Sequence, residues 1–301
     1  MPPSPDARTD ADTGVIHNIG YRGYAGPRLG RAYATRSLYV QSLRAAFGLG
    51  RSGKSKVLPM AMFGLPVVIA AVMVSIQIFT GVQEPIVDYA EYINNIGMLV
   101  WIFLASQAPV LFSRDLRHHT VPLYFSRPIT RADYVRAKFA ALASALFIVM
   151  AVPLLVLYVG ALLGKLPFGH HTVHLLIGLA AAVLYAVLES AIAMLIAAST
   201  PRRGFGVAAI MGVLVVSSIV AGIVYGIAGG EFESPPESAN WAAMLSPGML
   251  VNGFVNQVFG LVDHPNVMHA PGAGAAVLFA AEIVLLTVAS YWFTDRRYRK
   301  I

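Results

Sequence analysis

Six long apolar stretches constrain the fold more than any other feature of this sequence of 301 residues. A helix that crosses a bilayer needs about 20 consecutive, mostly apolar residues. Stretches that meet this requirement span residues 57–79, 93–113, 138–163, 173–199, 205–228 and 272–294. Only 12% of the residues are charged, whereas a soluble domain carries roughly 25%. We therefore predict an all-α integral membrane protein with a single six-helix transmembrane domain at residues 57–295.

The distribution of basic residues predicts how these helices are oriented. Segments on the cytosolic side of a membrane protein retain an excess of lysine and arginine. All 22 lysines and arginines except Lys165 fall on one side of the six-helix arrangement, in segments 1–56, 114–138, 202–203 and 296–300. Both termini are therefore predicted to be cytosolic. The predicted location of the protein is the plasma (inner) membrane. The net charge of +7 then reflects membrane topology, and nucleic acid is not a predicted partner.

The segments outside the transmembrane domain differ in character. Residues 1–30 contain no apolar run and begin with a Pro-, Asp- and Gly-rich stretch, so we predict a disordered cytosolic tail. Residues 31–56 are predicted to form an amphipathic helix followed by a basic hinge beside the membrane. One side of this helix is shared by Ala32, Tyr39, Leu43, Ala46 and Phe47. Residues 296–301 are predicted to be a basic cytosolic tail.

Residues 48–55 read GLGRSGKS and match the phosphate-binding pattern G-x-x-x-x-G-K-[ST] at every specified position. In nucleotide-binding proteins this loop lies between a buried strand and a helix, where backbone N–H groups, the lysine and the hydroxyl hold the phosphates and Mg²⁺. Here the preceding residues are predicted to be helical, and no room remains for the parallel sheet of an ATPase. We therefore predict that the Gly48–Ser55 segment binds no nucleotide.

Catalytic and metal-binding patterns are weak in this sequence. Cysteine is absent, which excludes disulfides, thiolate nucleophiles and Cys-ligated metals. Ser, His and Asp occur in no nucleophile-elbow context, so no catalytic residue is predicted. His170 and His174 are spaced i, i+4, a spacing that can chelate a metal, and His264 and His269 lie on the same predicted side. Because no Cys or carboxylate accompanies them in sequence, we predict polar side chains at headgroup level and no metal site.

The connection at residues 111–142 mixes charged and apolar side chains in a way that a solvated loop does not require. Thr130 is predicted to cap a helix that starts at Arg131, with Asp133 in its first turn. Apolar and aromatic residues beside charges favour docking of another cytosolic protein over a plain solvated connector. The predicted docking residues are Arg114, Asp115, Arg117, His118, Val121, Leu123 and Tyr124.

The same connection resembles a known family. The sequence TVPLYFSRPITRADYVRAK at residues 120–138 is similar to the loop between the second and third spans of ABC-2 type ABC transporter permeases. The resemblance extends to the amphipathic elbow helix before the first span, the six spans with both termini inside, and the long last external connection with short helices, here at residues 241–260. The Gly-Thr-Leu-Glu form common in the family is replaced here by His119-Thr120-Val121-Pro122.

This resemblance implies a permease subunit of an ATP-binding-cassette exporter that is not itself an enzyme. In the family the loop forms a coupling helix that sits in a groove of a separate ATPase subunit. The implied partners are therefore two ATPase subunits, docked through residues 114–136, and a second permease chain, identical or related, within the surrounding lipids. ATP and Mg²⁺ would be bound by the ATPase partner, and no cofactor is expected in this chain.

Two carboxylic acids lie inside predicted spans, where an ionisable residue is by default a functional hypothesis. Glu189 lies in the fourth span, about ten residues before the cytosolic turn, and Glu282 lies roughly midway along the sixth. Either could line a substrate path or carry a proton, or be held neutral and hydrogen-bonded between helices. If they worked without an ATPase, the chain would be a self-contained secondary carrier or channel, although the internal repeat that many carriers show is missing.

Overall fold

The computed structural model describes residues 26, 29–50, 52–82, 87–117, 124, 129–200, 202–230, 236–261 and 268–300. Within these residues the chain forms helices joined by turns, without a strand. The helices are α1 (Arg31–Ala46), α2 (Gly53–Thr80), α3 (Tyr89–Asn95), α4 (Gly97–Leu111), α5 (Ser113–Arg117), α6 (Arg131–Leu163), α7 (Phe168–Ser199), α8 (Arg203–Ile227), a 3-10 helix (Glu237–Leu245), α9 (Pro247–Phe259) and α10 (Gly272–Arg299). The predicted N-terminal tail lies almost entirely outside the described residues.

Helices long and apolar enough to cross a membrane are α2, α6, α7, the residues 204–227 of α8, and α10. A sixth crossing is made if α3 and α4 are counted as one bent span. Large apolar side chains on the outward faces of these helices are exposed, among them Phe79, Ile227 and Leu285. Such a surface is stable against lipid tails but not against water. The prediction of an all-α integral membrane protein is therefore confirmed.

The second predicted span, residues 93–113, differs from the structure. Instead of one straight helix, α3 and α4 meet at Ile96 with a bend of 59°. The residues around the bend are Asn94, Asn95 and Gly97, which are poor helix formers. The α3 part begins at Tyr89, where the side chain of Asp88 accepts a hydrogen bond from the backbone N–H of Ala90 as an N-cap.

The third span begins earlier than its apolar run. α6 starts at Arg131 because Thr130 and Asp133 form a capping box, in which each side chain accepts from the backbone N–H of the other residue. The predicted cap at Thr130 is thus confirmed. The extra turns carry Tyr134 and Lys138, whose side chains are buried. α6 therefore extends beyond the apolar run at the end of the bundle that also contains α1, α5 and the last turn of α10, which we call the basic end.

The connection between the last two long helices is packed into the bundle. Leu250, Val251 and Val255 of α9 are completely buried. The segment is held by the hydroxyls of Ser218 and Ser246, 2.8 Å apart, and by the backbone bond from Ala270 N–H to the carbonyl of Gly253, 3.0 Å long. The sequence predicted short helices here, and the structure shows that α9 is a buried part of the helical core.

Candidate docking site and buried polar clusters

Asp115 and Lys138 form a buried ion pair at the basic end. Asp115 lies in α5, directly after α4, and Lys138 lies two turns into α6. The Lys138 Nζ atom is 2.5 Å from Oδ2 of Asp115 and 2.6 Å from the carbonyl oxygen of Leu111, the last residue of α4. Their side chains are only 6% and 9% exposed. Lys138 therefore places a positive charge at the C-terminus of α4, where it is favourable, and joins α4, α5 and α6.

Three tyrosines surround this ion pair. The Tyr134 hydroxyl donates a hydrogen bond of 2.8 Å to Oδ2 of Asp115. The Tyr134 ring packs against Tyr124 and Tyr298, with ring centroids 5.4 and 5.3 Å away. Tyr298 belongs to the last turn of α10 and is fully buried. We call Asp115, Lys138, Tyr134, Tyr124 and Tyr298 the Asp115 cluster, and it connects the loop after α5 to the start of α6 and to the end of α10.

The Asp115 cluster contains two of the predicted docking residues, Asp115 and Tyr124. The Asp115 carboxylate is buried, and Lys138 supplies the opposite charge that a buried carboxylate requires. Tyr124 is half-buried against Tyr134. The side chains of Arg114 and Arg117, and the whole of His118, Val121 and Leu123, lie outside the described residues. For all seven predicted residues docking stays a prediction.

A second ion pair fixes α1 against α6. The Arg31 guanidinium donates to both carboxylate oxygens of Asp133, with distances of 2.5 and 2.9 Å. About three turns further along α6, the Tyr39 hydroxyl donates to the Ser144 hydroxyl at 3.0 Å. The buried residues of α1 are Leu38, Ser42 and Ala46. Of the predicted face, Ala46 is buried and Tyr39, Leu43 and Phe47 pack against the core, whereas Ala32 is exposed.

The GLGRSGKS segment joins two helices. Gly48 follows the end of α1 with φ +72°, and the hydrogen bonds Gly48 N–H to Ala45 O and Leu49 N–H to Arg44 O complete a Schellman motif. A Cβ at position 48 would lie 2.9 Å from the carbonyl oxygen of Ser55, so only glycine fits. A helix stands where a phosphate-binding loop needs a strand, which supports the prediction that no nucleotide binds here.

Glu189 lies where α4, α7 and α9 meet. It is 1% exposed, and its Oε1 atom accepts a hydrogen bond of 2.9 Å from the indole N–H of Trp101. The neighbouring Tyr185 donates its hydroxyl to the carbonyl oxygen of Gly248, 3.1 Å away. A Cβ on Gly248 would approach Trp101 to 3.4 Å and Glu189 to 3.9 Å. The first turn of α9 therefore packs directly against the Glu189 carboxyl group.

Each of the two intramembrane acids has one buried carboxylate oxygen that no described residue binds. Among the described residues, Oε2 of Glu189 and Oε2 of Glu282 are buried without a hydrogen-bond partner. Glu282 itself is half-buried on α10. An unpaired buried acceptor is costly, by about 1–3 kcal/mol, so it is an observation that needs an explanation. The role of both residues in a substrate path stays a prediction.

The histidine group has a carboxylate companion that sequence spacing did not reveal. His174 Nδ1 lies 2.5 Å from Oδ2 of Asp88, and His171 Nδ1 lies 3.1 Å from the Tyr89 hydroxyl. The rings of His170 and His174 stack with centroids 4.1 Å apart. Within the described part of the chain, no group of three or more ligating side chains could hold a metal ion. His171 and His174 therefore contact the residues at the start of α3, Tyr89 and Asp88.

Several residues of these clusters were not singled out from the sequence. Lys138 was counted only as a basic residue of the loop, and Tyr134, Tyr298 and Trp101 were not considered. A usable signal existed for Lys138, because a charge inside an extended helix implies a buried partner. For the aromatic residues, burial and pairing depend on contacts between distant helices, and the local sequence carries no such signal.

Comparison with protein families identifies the class of this protein. The model of the family described as ABC-2 family transporter protein matches residues 49–292, which is most of the sequence. The chain therefore belongs to the ABC-2 family of transporter proteins and is a membrane permease subunit of an ABC transporter. The comparison with curated proteins found no matching sequence.

Proposed function

We propose that this chain, with a second permease chain, forms the substrate path of an exporter and is driven by two separate ATPase subunits that dock on residues 114–136. The observation that carries this proposal is the buried Asp115–Lys138 pair. It fastens the short helix α5, at the start of the predicted docking loop, to the C-terminus of α4 and to α6. A force applied to this loop therefore acts on two transmembrane helices at once.

The proposed coupling is mechanical. ATP, with Mg²⁺, binds to the ATPase subunits and draws them together, and α5 moves with the docked surface. Because Lys138 contacts both Asp115 and Leu111, α4 and α6 follow α5 as one body. Packed helices have discrete arrangements, so such a displacement switches the bundle between states. Tyr298 adds α10 to the moving group through its contact with Tyr134.

We propose that the protein lies in the plasma membrane and that its basic end and both termini face the cytosol. Arg296, Arg297, Arg299 and Lys300 of the last helical turn lie at this end, together with α1. The positive-inside rule supports this side. Family membership favours a permease over a self-contained carrier. The helices on both sides of the GLGRSGKS turn favour assigning ATP hydrolysis to a partner chain.

Docking is tested by exchanging Leu123 and Tyr124 for alanine together in the tagged full-length chain. Complexes are purified from native membranes, and ABC ATPases are quantified by mass spectrometry relative to the permease. Loss of apolar anchors at an interface costs about 2 kcal/mol or more, so ATPase recovery should fall at least about tenfold while insertion is unchanged. The control is Phe79→Ala, which changes an exposed aromatic residue next to the opposite end of α2. ATPase recovery equal to wild type in the double variant contradicts the proposal.

A further inference from the structure

An apolar groove with a basic rim runs between α1 and α6 at the basic end. Its volume is about 680 Å³. Ala32, Ala137 and Ala140 lie along it, and small side chains leave the space between the two helices open. The Tyr39 ring also lines the groove, and its hydroxyl is bound to Ser144. The surface inside the groove is therefore almost entirely hydrocarbon and ring carbon.

The charges around this groove are unbalanced. Arg31, Arg36 and Arg136 line it together with a single acid, Asp133. The Asp133 carboxylate already accepts two hydrogen bonds from Arg31 and two from Thr130. Arg136 is 3.5 Å from Asp133 and its side chain is 61% exposed, and Arg36 is also exposed. Among the described residues that line the groove, the rim therefore carries net positive charge.

We propose that this groove is a binding site for an anionic phospholipid of the surrounding membrane. Arg36 and Arg136 hold the headgroup phosphate, and one acyl chain lies over the alanines and the Tyr39 ring. Guanidinium groups bind phosphate through paired, charge-assisted hydrogen bonds. An apolar groove alone would accept any acyl chain, so the arginines supply the preference for a lipid with net negative charge. Such a lipid would also fasten α1 to α6 beside the Arg31–Asp133 pair.

This inference rests on the chain being a membrane protein and not on ATPase docking. Lipid binding is measured on the permease alone, so it can succeed where the docking experiment fails, and the reverse. The full-length chain is purified in detergent and titrated with phosphatidylglycerol or phosphatidylcholine of matched acyl chains, and bound lipid is counted by native mass spectrometry. Wild type is expected to bind phosphatidylglycerol more tightly than phosphatidylcholine by about fivefold for each of Arg36 and Arg136, or about 25-fold together.

The deciding variant is Arg36→Gln with Arg136→Gln. It keeps the Arg31–Asp133 pair, so α1 stays attached to α6. Phosphatidylglycerol affinity should fall roughly 25-fold, to the level of phosphatidylcholine. The matched control is Arg296→Gln with Arg297→Gln, which removes the same charge from exposed positions outside the groove, and affinity should stay within about twofold of wild type.

Three further results complete the test. Ala140→Leu fills the groove without changing charge, and it should weaken binding of both lipids. Inorganic phosphate in excess should leave phosphatidylglycerol bound, because the acyl chain contributes to affinity. The proposal is overturned if the control lowers affinity as much as the rim variant, if the rim variant binds like wild type, or if phosphate alone displaces the lipid. If the rim variant does not fold, Ala140→Leu with unchanged lipid binding also overturns it.

Discussion

Lys138 Nζ lies 2.5 Å from Oδ2 of Asp115, and both side chains are shielded from water. A buried ion pair of this kind contributes little net stability compared with apolar residues of the same volume, because two charges must leave water. Breaking it by removing one partner is expensive, since the other charge stays buried. The pair therefore fixes which parts of α5 and α6 face each other, and this is the property that a coupling element needs.

Lys138→Met should lower the free energy of unfolding by about 3–5 kcal/mol, because the Asp115 carboxylate loses its counter-charge in a buried site. The measurement is thermal or denaturant unfolding of the purified chain in detergent. Arg136→Ala is the control, because it removes an exposed partner of Asp133 and should cost less than about 1 kcal/mol. Equal effects of the two variants would show that the Asp115 site is not buried in the working protein.

Asp115→Leu combined with Lys138→Met separates stability from coupling. Replacing both charges by apolar groups should bring unfolding to within about 1–2 kcal/mol of wild type. Transport and ATP hydrolysis stimulated by substrate should nevertheless decline, because the fixed contact between α5 and α6 is lost. A double variant that is stable and transports at the wild-type rate would restrict the pair to a structural role.

Glu189→Gln should reduce efflux while the protein remains as stable as wild type. Glutamine keeps an oxygen that accepts from Trp101, so only the capacity to ionise is lost. Trp101→Phe removes the donor and leaves Oε1 unpaired, which should cost about 1–3 kcal/mol. Leucine at position 189 is the structural comparison. If the Glu189→Gln variant exports substrate at the wild-type rate, the role of Glu189 is limited to its hydrogen bond between helices.

Lys54→Ala should leave ATP hydrolysis by the assembled transporter unchanged. In a phosphate-binding loop this lysine contacts the outer phosphates and its loss abolishes activity. In this chain Lys54 is an exposed residue in the first turn of α2. Steady-state hydrolysis is the measurement, and photocrosslinking of an ATP analogue to residues 48–55 would refute the prediction.

The three glycines of the same segment should respond differently to alanine. At Gly48, with φ +72°, alanine adds a steric conflict with Ser55 to the left-handed strain of about 1–2 kcal/mol. At Gly50, with φ +85° and open space around the Cβ position, only the strain of about 1–2 kcal/mol remains. Gly53→Ala should be neutral or stabilising, because this residue begins α2. The free energies of unfolding of the three variants give the order of their stabilities. Equal losses for alanine at positions 48 and 50 would contradict the predicted steric conflict with Ser55.

The sequence was sufficient for the long helices because a helix in lipid must satisfy its own backbone hydrogen bonds. Transmembrane helices can therefore be predicted directly from long apolar runs in the sequence. The bend at Ile96 and the burial of α9 depend on neighbouring helices, and the apolar count of a short segment does not show which surface will cover it. The start of α6 was predictable because the capping box is local, with Thr130 and Asp133 three residues apart.

Asp115 shows why the site was harder to predict than the fold. Its partner Lys138 lies 23 residues further along the chain, on another helix, and no spacing rule connects them. A charged residue in a loop is most often exposed, so the sequence favoured a surface role. Likewise the sequence could not identify the hydrogen-bond donor of Glu189, because Trp101 is 88 residues away.

In this chain a helix ends at a glycine with positive φ and is followed by a helix with a basic first turn. The resulting sequence matches the pattern of a phosphate-binding loop. Both structures select glycine because it turns backbone amides toward an oxygen, which belongs to the chain itself in one case and to a phosphate in the other. At Gly48 the amide hydrogen is already used by Ala45. If Lys54→Ala leaves ATP hydrolysis unchanged, a helix directly before the first glycine is the feature that distinguishes such a turn from a phosphate-binding loop.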